Sequence, residues 1–218
     1  MPIISLQVHY NFIFFFLGQK KVEISQPIFI IRQSCEIAGL EDGSGALIAI
    51  LGALSSVIPL TGGINDQLWL INAHATSTPR GDAAEMNAVR KLLSLLKNEL
   101  KEWNIEVPVN NSDADSDGPY VTAHKGNFGH MMSAAGSIEA ALACKSLQTG
   151  VIPGLMNLDN LEVGIGDELN MVKESIDLGK SNFGKRRLVM KNSFGFGGTN
   201  ACLFFAEYIP NSLLSLNA

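Results

Sequence analysis

The sequence is short of cysteine, of charge and of clustered basic residues, and each shortage excludes a class of protein. Its three cysteines are too few and too widely spaced for a disulfide framework or a metal-binding motif, and they fit a reducing compartment. Charged residues make up 17% of the 218 residues, and the net charge is −5. No stripe of lysine and arginine alternates with aromatic side chains, so nucleic-acid binding is not indicated.

The N-terminal segment has even less charge, because residues 1–19 contain no Asp, Glu, Lys or Arg. A membrane anchor is one interpretation, but Gln7, His9 and Asn11 interrupt an apolar run that is barely long enough. A secretory signal would need a basic start and a small-residue cleavage site, and a mitochondrial presequence would need arginines. We therefore treat residues 1–40 as an unassigned leader or mis-joined segment, and expect no membrane association.

From residue 41 onward, helical patterns alternate with short apolar runs. The apolar spacing predicts helices over 41–60, 79–101 and 130–149, and strands over 68–73, 120–123, 169–172, 187–192 and 201–208. Asp82 and Glu85 predict a cap at the start of the second helix. Strands that alternate with helices predict an α/β layered domain, here residues 41–209, followed by a tail of residues 210–218.

Three unusually polar or glycine-rich motifs interrupt this pattern. They read Asn-Ala-His-Ala-Thr-Ser-Thr at 72–78, Lys-Gly-Asn-Phe-Gly-His at 125–130 and Asn-Ser-Phe-Gly-Phe-Gly-Gly-Thr-Asn at 192–200. His74 follows a predicted strand directly, a position where α/β proteins often place functional residues. His130 opens a predicted helix, whose positive end favours a neutral imidazole. Taken singly, each residue is more often structural.

The third motif permits two interpretations. Its three glycines between apolar strands are typical of a hairpin turn. Its two phenylalanines, Phe194 and Phe196, are costly in a solvated turn and suit the lining of an apolar tunnel. A separate acidic run at 113–118 copies the opening of a calcium-binding loop, but His124 occupies the position of the closing glutamate, so calcium binding is not expected.

In this order, the three motifs resemble the C-terminal half of a β-ketoacyl-acyl carrier protein synthase, the elongating condensing enzyme of fatty-acid synthesis. The resemblance covers about residues 42–208. It implies the C-terminal half of a thiolase-like fold, with layered helices and a mixed sheet. It also implies the following roles: catalysis by His74, Lys125 and His130, a supporting network of Asp82 and Glu139, and substrate contacts from Thr76, Thr78 and Phe196.

The resemblance further implies a decarboxylative Claisen condensation of malonyl-carrier protein with an acyl thioester. Substrates would arrive on the phosphopantetheine arm of acyl carrier protein, and no metal or redox cofactor would be needed. The full-length protein would be a homodimer. The wording of the first motif resembles the stand-alone bacterial and mitochondrial type, which implies a mitochondrial or bacterial-type cytoplasmic location.

One departure from the family pattern is serious. The family's nucleophile lies in a Thr-Ala-Cys-Ser-like turn that this sequence lacks, and Cys35, beside Glu36, does not match it. The chain is therefore predicted to be a fragment that is inactive alone, with exposed apolar surface. The alternative is a non-catalytic thiolase-fold subunit that acts by association. Thiolase itself is less consistent, because its cysteine-containing glycine motif is absent.

Overall fold

A mixed β-sheet with helices on both faces organises the fold. The structure, a computed structural model, describes residues 16–17, 20–21, 42–57, 66–108, 118–160, 169–179 and 186–207. Most of the predicted leader, including Cys35, lies outside the described residues, which contain only its two short strands. Most of the acidic run at 113–118 and the whole tail at 210–218 also lie outside them.

The helices and strands follow one another in the order that the sequence predicts. The strands are β1 (Phe16–Leu17), β2 (Lys20–Lys21), β3 (Asp66–Asn72), β4 (Ile105–Glu106), β5 (Tyr120–Thr122), β6 (Val151–Ile152), β7 (Asn170–Met171), β8 (Ile176–Asp177), β9 (Arg186–Gly195) and β10 (Thr199–Ala206). The helices are α1 (Ser44–Val57), α2 (Pro79–Asn98), α3 (Lys125–Phe128) and α4 (Ala135–Thr149), with 3-10 turns at Lys101–Trp103 and Met132–Ala134.

The main sheet has the strand order β10-β9-β3-β5-β7, and β4 pairs with the first residues of β3. Strands β9, β3, β5 and β7 are parallel, whereas β10 runs antiparallel to β9 through the glycine turn. The hairpin interpretation of the third motif is therefore confirmed. Because parallel strands end at the same edge of a sheet, the segments after β3 and β5 and the end of β9 meet there.

The two faces of the sheet bury different helices. Leu188, Met190 and Phe204 belong to the cluster that includes residues of α1 and α2. The alternate residues Val189 and Phe205 belong to the cluster on the other face, with residues of α4. This alternation follows from the two-residue period of a strand. The result is three layers, helix, sheet and helix, as the α/β prediction requires.

The fourth helix begins later than its sequence pattern predicts. The predicted helix over 130–149 starts at Ala135, after a 3-10 turn at Met132–Ala134. Gly129, at φ +78°, and Met132, at φ +48°, take left-handed backbone conformations that interrupt helical geometry. His130 therefore lies in a loop, and the prediction that it opens a helix was wrong.

The start of α2 also differs from its prediction. Thr78 is the N-cap, without a side-chain capping bond, and Pro79 occupies the first turn, where its missing N–H costs nothing. Glu85 does not cap this helix, because its carboxylate binds the loop after β3 instead. Among the described residues, no helix combines the length and the apolar character needed to cross a membrane.

Candidate functional site

The loop after β3 holds His74 at the edge of the sheet. The backbone N–H groups of His74 and Ala75 donate to the two carboxylate oxygens of Glu85, each at 2.9 Å. Ala75 and Ser77 have φ angles of +39° and +60°, which L-residues seldom adopt. The buried carboxylate thus stabilises a strained loop and fixes the peptide on which the histidine sits.

Lys125 holds the other side of the same peptide. Its Nζ donates to the carbonyl oxygen of His74 at 2.5 Å and to Oε1 of Glu139 at 2.6 Å. Lys125 is 8% exposed and Glu139 is fully buried. A buried ammonium is costly unless it is paired, and Glu139 supplies the pairing. Of the two acidic residues that the family resemblance places in a supporting network, Asp82 and Glu139, it is Glu139 that pairs with Lys125.

The two predicted histidines converge on one location. The rings of His74 and His130 lie 5.6 Å apart, centroid to centroid, at an interplanar angle of 86°. Phe194 packs against His74 at 5.5 Å and 68°. Strand β9 thus provides an aromatic wall beside the pair, in agreement with the apolar lining predicted from the third motif.

The environment of His74 keeps its imidazole neutral. Burial, followed by the charges of Lys125 and Lys191, lowers the pKa of His74 to about 3. Its Nδ1 is buried and has no hydrogen-bond partner among the described residues. The ring is therefore neutral at neutral pH and retains one unused hydrogen-bonding nitrogen among the described residues.

His130 is oriented by a single contact. The backbone N–H of Met132 donates to Nδ1 of His130 at 3.2 Å. With Nδ1 as acceptor, the neutral ring carries its proton on Nε2, an assignment that follows from the hydrogen-bond network. His130 is exposed at the surface of the described residues, so its Nε2–H is free to reach outward.

Sequence reasoning missed several residues of this cluster. They are Glu85, Lys191 and Asn192, which contact the His74 loop or Glu139. Asn192 donates from Nδ2 to Glu85 at 3.0 Å, and Lys191 lies 2.7 Å from the second oxygen of Glu139. A signal was present, since Lys191 and Asn192 are polar residues in the middle of a strand of apolar character.

Glu139 stays ionised between its two lysines. Burial raises its pKa, but the charges and hydrogen bonds of Lys191 and Lys125 outweigh burial and lower the pKa overall. Its helix is further tied to the sheet, because Nδ2 of Asn72 donates to the backbone oxygen of Glu139 at 3.0 Å. The carboxylate is therefore a fixed negative charge in contact with both Lys125 and Lys191.

The remaining predicted residues lie outside this cluster of contacts. The hydroxyls of Thr76 and Thr78 approach within 3.2 Å of each other. Thr78 and Asp82 line a cavity of about 380 Å³ at the ends of β3, β5 and β7. Phe196, in the turn between β9 and β10, is 97% exposed. Their assigned roles stay predictions.

The two cysteines of the described residues are poor nucleophiles. Burial raises the pKa of the Cys144 thiol to about 12. Cys202 is fully buried in β10, and burial raises its thiol pKa further still. A thiolate is the reactive form of cysteine, so the raised pKa values leave both side chains unreactive at neutral pH. No cluster of potential metal ligands occurs among the described residues.

Comparison with known proteins identifies the family of the domain that carries these residues. Residues 52–159 match the β-ketoacyl synthase C-terminal domain. The chain contains a ketosynthase C-terminal domain. The matched range includes His74, Lys125, His130 and Glu139, whereas Phe196 lies beyond it. The family prediction from the three motifs is therefore confirmed.

Two curated relatives define the level of similarity. The 3-oxoacyl-[acyl-carrier-protein] synthase 2 of Vibrio cholerae is 34% identical over 166 residues, which are 76% of this chain and 33% of that protein. The mitochondrial 3-oxoacyl-[acyl-carrier-protein] synthase of Arabidopsis thaliana is 36% identical over 167 residues, or 77% of this chain and 30% of that protein. The chain thus spans about a third of the length of these relatives.

A solved structure shows the same fold. The ketosynthase from module 1 of the bacillaene synthase of Bacillus amyloliquefaciens superposes with a TM-score of 0.60 at 20% identity. The match covers 84% of this chain and 30% of that one. The predicted fold class, the C-terminal part of a thiolase-like ketosynthase fold, is confirmed.

Proposed function

We propose that the chain forms the C-terminal half of a 3-oxoacyl-[acyl-carrier-protein] synthase, which elongates fatty acids by condensing malonyl-carrier protein with an acyl thioester. The observation that carries this proposal is the His74–His130 pair, with ring centroids 5.6 Å apart at the sheet edge. The names of the two curated relatives describe the same reaction class.

The two imidazoles suit the decarboxylation step. Loss of carbon dioxide from the malonyl group places negative charge on the thioester oxygen of the resulting enolate. Hydrogen-bond donors that are already in position stabilise such charge, and they do so most strongly where water is excluded. A neutral imidazole still carries one N–H donor, and the low pKa of His74, about 3, keeps the ring neutral at physiological pH.

Lys125 and Glu139 have a supporting role in this proposal. Lys125 donates to the carbonyl oxygen of His74 rather than projecting freely into solvent. Its ammonium therefore fixes the histidine and adds positive potential near the developing enolate. Glu139 balances the ammonium. Two imidazole donors complete the charge stabilisation, so we expect neither a metal nor a redox cofactor.

The condensation also needs a nucleophile to carry the acyl group. Cys144 and Cys202 are unsuitable because burial raises the pKa of each thiol. We infer that another part of the protein supplies the acyl-carrying cysteine and covers the exposed side of His130. The threonine pair Thr76 and Thr78 would then contact the phosphopantetheine arm of acyl carrier protein, and Phe196 would gate the acyl pocket.

The relatives' names support a partner and two locations. Acyl carrier protein is the proposed partner, and a homodimer is the proposed state of the full-length protein. A mitochondrial location and a bacterial-type cytoplasmic location are both compatible with the mitochondrial and bacterial relatives. Asp82 is proposed to support the site from the first turn of α2.

An assembled protein tests the proposal. This chain would be co-expressed with the N-terminal part of the Arabidopsis relative. The two substrates, malonyl-loaded and acyl-loaded acyl carrier protein, would then be added. We expect release of carbon dioxide and a 3-oxoacyl product detected by mass spectrometry, neither of which the N-terminal part alone should form. Stable association without either product would contradict the proposal and favour the non-catalytic partner subunit.

A further inference from the structure

Lys191 is a lysine in the middle of a buried strand. It lies in β9 between Met190 and Asn192 and is 1% exposed. Lysine is almost never fully buried unless its charge is paired, because desolvation of an ammonium costs several kcal/mol. The proposed condensation assigns this residue no role. Its surroundings show what the charge contacts.

Three oxygens surround the ammonium. Nζ lies 2.7 Å from Oε2 of Glu139, an ion pair whose angles are not those of a hydrogen bond. Nζ also donates to the hydroxyl of Ser193 at 3.0 Å and to the backbone oxygen of Asn192. An ammonium has three donors and no acceptor; two of them are used in these hydrogen bonds, and the carboxylate of Glu139 balances the charge.

The carboxylate that Lys191 contacts is shared. Oε1 of Glu139 accepts from Lys125, which in turn donates to the backbone oxygen of His74. A continuous series of polar contacts therefore runs from Lys191 through Glu139 and Lys125 to His74. It joins β9 to the loop after β3 across the edge where the two histidines meet.

We propose that Lys191 is a positioning residue. It contacts the second oxygen of Glu139 and so holds that carboxylate against Lys125. Through Lys125, it fixes the position of the His74 peptide beside the C-terminal end of β9. The catalytic meaning of this placement rests on the proposed condensation. The placement itself does not, and it can be tested without acyl transfer.

The charges around His74 give the proposal a second readout. Lys125, Lys191 and His130 each lower the pKa of His74, Glu139 raises it, and Glu85 binds its backbone N–H. Loss of the Lys191 charge should therefore raise the pKa of His74 from its value of about 3. Replacement of Lys191 by arginine, which keeps the charge, should preserve more of the shift.

The decisive experiment is a pair of melting comparisons on the 218-residue chain. Lys191→Met should lower the melting temperature by about 5–10 °C, because Glu139 loses one of two buried partners. In a Glu139→Gln background the same substitution should raise the melting temperature, because Lys191 is then an unpaired buried ammonium. Lys145→Met, on the exposed side of α4, is the matched control and should change it by less than about 2 °C.

The opposite effects of Lys191→Met on the melting temperature in the two backgrounds distinguish charge pairing from packing. If the alkyl chain of Lys191 only fills space, Lys191→Met lowers the melting temperature equally in both backgrounds, and the proposal is overturned. If Lys191→Met alone does not fold, the double variant is compared with Glu139→Gln. A higher melting temperature of the double variant still supports charge pairing, and a lower one overturns the proposal.

Histidine resonances followed by NMR through a pH titration supply the readout of positioning. A higher pKa of His74 in Lys191→Met, with little change in Lys191→Arg and none in Lys145→Met, is expected. An unchanged His74 titration in Lys191→Met would overturn the proposal. Neither readout uses acyl transfer. If the condensation assay fails but Lys191→Met has the expected opposite effects on the melting temperature, the proposed function is refuted and the placement of Lys191 stands.

Discussion

His74 and His130 belong to one site but are held in opposite ways. The peptide of His74 is bound on both sides, by Glu85 at its N–H and by Lys125 at its oxygen. His130 lies on an exposed loop and is oriented by one hydrogen bond from Met132. The first histidine is therefore fixed by this chain, whereas the second is only oriented.

The difference indicates how the site is divided. Groups that are held by buried contacts within one chain are positioned before substrate arrives, which reduces the reorganisation needed during the reaction. The proposed function would have another part of the protein cover His130, which is exposed and accepts one hydrogen bond here. The variants below test whether His74 really depends on the buried contacts and His130 does not.

The largest effect is expected for Glu139→Gln. The amide leaves Lys125 and Lys191 without a balancing carboxylate in a buried setting. Breaking a buried pair costs about 3–5 kcal/mol of the free energy of unfolding. Urea denaturation of this variant measures the loss, with the exposed Glu174→Gln as control. A loss no greater than that of the control would show that the buried pair does not hold this side of the site.

A smaller loss is expected for Glu85→Gln. The carboxylate accepts from two backbone N–H groups and from Asn192, and an amide nitrogen cannot accept. A hydrogen bond to a charged group contributes about 1.5–3 kcal/mol. We therefore expect the free energy of unfolding, measured by urea denaturation, to fall by about 2–3 kcal/mol. Glu99→Gln, exposed at the end of the same helix, is the control. Equal losses of unfolding free energy in Glu85→Gln and Glu99→Gln would contradict the interpretation that Glu85 fixes the loop after β3.

The pH dependence of stability sharpens the comparison further. Burial lowers the pKa of His74 to about 3 and that of His124 to about 4, whereas histidines of an unfolded chain titrate near 6.5. As pH falls below about 6.5, the unfolded chain binds protons that the folded chain does not, so stability decreases.

The slope of that decrease is at most about 1.4 kcal/mol per pH unit for each histidine, and solvent screening reduces it at the half-buried His74. Urea denaturation at pH 7 and at pH 5 measures it. His124→Gln should flatten part of the dependence, because it removes one of the two buried rings. A dependence that His124→Gln leaves unchanged would contradict burial of that ring as a cause.

The smallest effect on stability is expected for Phe196→Ala. This side chain is 97% exposed, and exposed substitutions usually change stability by less than about 0.5 kcal/mol. In the assembled protein the same substitution should change acyl loading or chain-length preference, because a gate controls access and does not stabilise charge. Unchanged kinetics with every acyl chain length would exclude a gate at this position.

Periodicity and motifs predicted the fold class correctly, and the structure brings the two motif histidines, His74 and His130, to one place. Strand ends place His74 and Lys125 at one edge, and that placement follows from parallel pairing of β3 and β5. The contacts of Glu85 and Lys191 were missed, because they join residues on different elements, at separations that local patterns do not encode. The start of α4 was also missed, since Met132 takes a left-handed conformation that its type does not favour.

The most direct test of the two-histidine account is malonyl decarboxylation by the assembled protein carrying His130→Ala. Loss of one donor to a developing oxyanion costs about 100- to 1000-fold in rate. We therefore expect a decrease of that size, with thermal stability close to that of the unsubstituted protein and an unchanged rate in Lys145→Met. Undiminished decarboxylation by His130→Ala would contradict the shared site.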